Sequence, residues 1–130
     1  MAVGYSVALR NARLDEITAA VGTSGLLRIY GGTRPATGGT ATTLLAELAC
    51  SATFAPAASA GVLTANAISD DTAADNTGTA TWFRVTTSAG TQVVDGDAGE
   101  AGTELILDDA SIVAGGVVAV NSLAVTGGNA

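Results

Sequence analysis

The sequence predicts a mainly β fold: an antiparallel β-sandwich or jelly-roll-like barrel with one N-terminal α-helix. Three observations carry this. Short runs rich in Val, Ile, Leu and Thr recur between Gly- and Asp-rich turns. Helical spacing of apolar positions is clear in one stretch only, residues 6–21. The 130 residues, 48% hydrophobic and 13% charged, suit a single folded domain over 1–130 and not a disordered chain. Much of the hydrophobic content is Ala, so the core is expected to be thin.

The elements follow in order. Residues 1–22 form the helical segment. Ser6 can cap the helix by accepting from the free N–H groups of its first turn. Val7, Arg10, Leu14, Ile17 and Val21 keep helical spacing, which places Leu14, Ile17 and Val21 on one face, and Gly22 supplies the stop. Residues 26–126 form the sandwich. Residues 26–30 (LLRIY) read as a strand between glycines, and 31–40 (GGTRPATGGT) as a loop. Residues 42–51 fit helix or strand, and the alternation of Leu44, Ala46, Leu48 and Cys50 favours strand. Residues 54–61 are a connection, 62–68 a strand and 69–76 an acidic loop. The clearest strand is 79–87 (TATWFRVTT). Ser88-Ala89-Gly90 then turns the chain into a partner strand at 91–94. Residues 95–102 (DGDAGEAG) read as a loop, and 104–107 as a strand. Ile112 and Val113 are a short strand and Gly115-Gly116 a turn. Residues 117–126 are the last strand and 127–130 a tail.

Composition removes several functions. The net charge is −7, there is no His, and all five bases are arginines. A His general base, a Lys Schiff base and a P-loop lysine are therefore excluded. One Cys permits neither an internal disulfide nor a structural zinc site. Charge is uneven along the chain. Residues 1–69 carry four arginines against three acids, and residues 70–130 carry nine acids against Arg84 alone. Such a field repels nucleic acid, which needs clustered cations for its phosphates. No run approaches the roughly 20 apolar residues of a membrane-spanning helix, and 1–13 lacks the pattern of a secretory signal. A soluble protein made in the cytoplasm is expected.

The candidate sites are few. Asp95, Asp97 and Glu100 sit in an oxygen-rich, Gly-containing loop of the kind that holds calcium, but the EF-hand spacing fails, with Ile106 at the twelfth position. Asp70, Asp71 and Asp75 form a second acidic loop. Neither gives a metal site or a carboxylate pair in a deep cleft, and Ser24 and Ser88 lack a base. The expectation is no catalysis, no metal and no cofactor. Trp82 and Phe83 are adjacent, so on a strand they face opposite ways. One belongs in the core, while the other is covered by the helix or offered to a partner. Arg84 shares the Trp82 face, where it can stack on the ring or pair with an acid. Cys50 lies on an apolar face and is expected to be a buried small hydrophobe. Arg10, Arg13 and Arg34 sit at the expected periphery. With Trp82 they are the candidate partner interface, the alternative being that these arginines pair with the chain's own acids.

Four segments resemble, in order, a family of small virion proteins from tailed bacteriophages. SVALRNARLDEITAAVGTSGLLRIYGGTRPATGG is similar to that family's R-N-x-x-L-D helix, L-R-I-Y strand and P-A loop. TTLLAELACS is similar to its L-L-A-x-L strand, and GTATWFRVTTSAGTQVVDG to its G-T-A-x-W-F-R strand, S-x-G-T turn and D-G ending. LILDDASIVAGGVVAVNSLAVT is similar to its final strand pair. Together they cover most of residues 6–126. Gly31 and Cys50 are departures from the pattern. The resemblance implies a structural component of the phage particle. The expected role is a capsid-decorating (cement) protein on the outside of the head, working as a homo-oligomer against the major capsid protein. The alternative is a minor tail, tail-tip or head–tail joining protein. A carbohydrate-binding module is disfavoured, because sugar sites use stacking aromatics and this chain has five in all.

Overall fold

The helix begins and ends where its capping residues dictate. The computed structural model describes residues 4–127, so the tail expected at 127–130 lies, apart from Gly127, outside the described residues. In α1 (Val7–Val21) the Ser6 hydroxyl accepts the Leu9 N–H at 3.2 Å, and Gly22, at φ 77°, donates its N–H to the Thr18 carbonyl. Leu14 and Val21 are buried and Ile17 is half-buried, as their spacing predicts. The polar residues of the R-N-x-x-L-D stretch then fasten the helix to the rest of the chain. Asn11 and Asp15, one turn apart, accept the backbone N–H groups of Gly61 at 2.9 Å and Ala58 at 2.7 Å. Arg10 reaches across to the Gly127 carbonyl at 3.4 Å. Among the described residues no helix is long and apolar enough to cross a membrane.

Nine strands follow: β1 (Leu26–Tyr30), β2 (Leu44–Ala49), β3 (Val62–Thr64), β4 (Gly78–Thr79), β5 (Trp82–Thr86), β6 (Gln92–Gly99), β7 (Leu105–Leu107), β8 (Ser111–Ile112) and β9 (Val120–Thr126). Seven make one sheet in the order β2-β1-β5-β6-β7-β9-β3, and β4 pairs with β8. Every pairing is antiparallel except β6–β7, a parallel contact of two residue pairs, Ala98 with Leu105 and Gly99 with Ile106. That short junction joins a four-stranded half to a three-stranded half. Leu27, Ile29, Phe83 and Val85 from the first half and Leu63, Leu105, Leu107 and Leu123 from the second share one buried cluster, with Leu14 and Val21 of α1. The result is mainly β and sandwich-like with one helix, as the sequence predicts.

The main departure lies in β6. Its second half, Asp95 to Gly99, occupies part of the expected 95–102 loop. Gly and Asp disfavour strands in isolation, but here each has a cross-strand reason. Gly96 lies opposite Phe83, and a Cβ there would stand 2.6 Å from the Phe83 ring. Only glycine lets the aromatic ring lie across the neighbouring strand. Gly96→Ala is therefore expected to destabilise the fold by about 1–3 kcal/mol through overpacking, read as a lower urea midpoint. The penalty should shrink in a Phe83→Leu background, because the two residues share one space. Smaller departures occur at strand ends. Cys50 falls just beyond β2 and is half-buried against the core, where burial pushes its thiol pKa up to about 11. Val113 falls outside β8 and is exposed.

Candidate functional site

Strand β5 is buried on both faces. Phe83 and Val85 point into the main core, whereas Trp82, Arg84 and Thr86 point the other way. On that second face Tyr30 of β1 lies opposite Trp82, and their rings stack with centroids 4.3 Å apart and planes 15° from parallel. The 31–43 segment covers them. Thr42 accepts the Trp82 indole N–H at 2.9 Å and donates its own hydroxyl to the Gly31 carbonyl. Trp82 has no exposed surface and none to offer a partner, so as an interface residue it is corrected. The loop, and not the helix, is its cover.

Arg84 does both things open to it. Its guanidinium lies 5.3 Å from the Trp82 ring centroid. It also forks onto Asp95, directly opposite on β6, with Nε–Oδ1 at 2.7 Å and Nη2–Oδ2 at 3.0 Å. The loop completes this pair from above. Gly39 gives its carbonyl to Arg84 at 2.8 Å, and Gly38 donates its N–H to Asp95 at 2.9 Å. The side chains are 10% and 1% exposed. Burial, the largest influence on Asp95, pushes its pKa up. The Arg84 hydrogen bond, the Gly38 N–H, the Arg84 charge and Gln92 together outweigh it, and hold the carboxyl below its ordinary value. The Arg84 pKa is raised, chiefly by the hydrogen bond to Asp95.

Several acidic side chains of the two loops already have partners within the chain. Asp95 is committed to Arg84, and Asp97 faces Arg34 at 3.4 Å in an exposed pair. Glu100 accepts the Ala110 N–H. Asp71 accepts from Glu47 and Ala73 backbone N–H groups. Among the described residues, no three His, Cys, Asp or Glu side chains come together to hold a metal.

Of the predicted arginines, Arg34 meets an acid of its own chain, while Arg10 and Arg13 sit together on α1. Arg13 lies over the Tyr5 ring at 4.8 Å and is exposed, and Arg10 is half-buried. With Leu14, Ile17, Thr126 and Gly127 they line a cleft of about 250 Å³. A second cleft, of about 360 Å³, is lined by Leu45, five threonines and three glycines near the start of the covering loop. Its functional groups are hydroxyls and backbone, with no carboxylate to act as acid or base. The chain matches no family model, no curated protein and no solved structure.

Proposed function

We propose that the chain is a non-enzymatic structural protein of a tailed-phage virion, decorating the outer surface of the capsid as a homo-oligomer. The ordered set of phage-like motifs across 6–126 carries this reading. In the structure those motifs are framework: R-N-x-x-L-D fastens the helix, and W-F-R fills both faces of the central strand. A virion protein is selected for a rigid body and for its outer surfaces, and multivalency multiplies modest contacts. The absence of His and Lys and the hydroxyl-lined cleft are in keeping with a protein that binds rather than catalyses. Its partner is the major capsid protein, it is made in the host cytoplasm, and it ends on the virion. The alternative places it in the tail or at the head–tail joint.

Mass-spectrometric stoichiometry of purified particles separates the two. A copy number on the scale of the capsid subunits supports decoration, one on the scale of a tail ring supports the alternative, and absence from particles overturns both. The exposed arginines then locate the contact. Arg13→Glu and Arg34→Glu should leave the protein folded, because exposed pairs contribute only about 0–1 kcal/mol. Each should reduce incorporation into particles in a salt-dependent way. Normal incorporation of both removes these arginines from the contact.

A further inference from the structure

The exposed large apolar side chains among the described residues fall in two places. Tyr5, Val7 and Leu9 (37–46% exposed) open the helix, and Val113 and Val117 (63% and 67%) tip the turn between β8 and β9. Patches of this kind on a small protein mark contact surfaces.

The cleft beside the helix start and the valine turn carry opposite charge. At the helix, Arg10 and Arg13 make no ion pair among the described residues, whereas Arg28, Arg34 and Arg84 each make one. Arg10 Nε is buried without a hydrogen-bond partner. The helix also carries Asp15 and Glu16, but neither lines the cleft, whose charged residues are Arg10 and Arg13. At the valine turn the charges are all negative. Asp108 and Asp109 precede it, and Asp108 binds the Ala119 carbonyl through its N–H. The acidic loop lies alongside: Asp71 pairs with Val118, and Ala74 pairs with Gly115 and Gly116. Asp70, Asp75, Asp108 and Asp109 are exposed.

The two patches also lie beyond opposite ends of β9. Val117 leads into β9, and Gly127, just past the end of β9, touches Arg10. The intervening strand spans about 20 Å. A patch complementary to a different patch on the same chain makes a heterologous contact, which closes into a ring or continues as a filament.

We propose that the chain associates head to tail with further copies of itself, the acidic valine turn of one copy seating on the Arg10–Arg13 cleft and the apolar helix start of the next. This gives the homo-oligomer of the reading above its geometry. The test uses purified protein without particles, so failure to join a particle and failure to self-associate are read separately.

Sedimentation velocity of the full chain should show the mean mass rising with concentration, and high salt should reduce it. Arg13→Glu and Asp109→Arg are both at exposed positions, and circular dichroism checks that each variant stays folded. Each alone should weaken association roughly tenfold or more, because like charges then meet. An equimolar mixture of the two should regain assembly, since the unaltered head of one variant meets the unaltered tail of the other. Val117→Ser should weaken association without altering its salt dependence. A chain that stays monomeric at every concentration overturns the proposal. So does association that both charge variants leave unchanged, or a mixture no better than its components, because either result shows that residues 13 and 109 do not face each other across the contact. A mass that stops at the dimer shows a closed two-fold pairing in place of the head-to-tail one.

Discussion

Trp82→Ala is expected to cost about 3–5 kcal/mol of folding stability, the range for deleting a buried large aromatic. The site has little means of collapsing around the loss. Trp82 is fully buried, stacked on Tyr30 on one side and capped by the 31–43 loop on the other. The substitution also leaves the Thr42 hydroxyl without its indole donor and strips Arg84 of the ring beneath it. Trp82→Phe separates these effects. It keeps the stack on Tyr30 and loses the hydrogen bond, at about 1 kcal/mol, plus a smaller packing deficit. Urea unfolding followed by far-UV circular dichroism reads both variants. The wild type gives an independent signal from its single tryptophan, whose burial predicts blue-shifted emission. An alanine variant that kept the wild-type midpoint would show that this face contributes nothing to the fold.

The same residue shows what the sequence does and does not reveal. Alternation alone puts Trp82 and Phe83 on opposite faces, and the structure has them so. The caps of α1 and the bounds of β1 are equally local features, and both stand where the residues place them. What covers Trp82 is not local. Composition marks 31–40 as a loop but carries no trace of its folding back over the strand. The Arg84 partner is hidden for a related reason. Counting outward from the Ser88–Gly90 turn without interruption would bring Val94 opposite Arg84. Instead the register shifts between Val85 and Thr86, which leaves Val93 without an opposite residue and brings Asp95 into line. A one-residue bulge thus converts an apparent calcium-type loop into a strand bearing a buried ion pair. Nothing in the spacing of D-G-D-A-G-E signals it, because the deciding contacts come from Phe83, Arg84 and the loop above.

Asp95→Ala should be as damaging as the loss of the tryptophan, at about 3–5 kcal/mol, because it strands a buried guanidinium. Arg84 would keep only the Gly39 carbonyl, and the Gly38 N–H would lose its acceptor, so the covering loop loosens as well. The pair is not thereby a large net source of stability. Taking two charges out of water costs nearly as much as their attraction returns. The double variant Arg84→Met with Asp95→Leu is therefore expected to lose much less than the sum of the single changes, and the difference measures their coupling. Acid provides the same test without mutation. The folded Asp95 pKa is lowered, so the unfolded chain binds this proton more readily than the folded one. The stabilisation is complete above the ordinary carboxylate range, and is lost as pH falls through that range to the lowered value. Wild-type stability should thus decline on acidification over that window. The Arg84→Met, Asp95→Leu variant should decline less steeply, and identical acid profiles for the two proteins would show that the pair does not link protonation to folding.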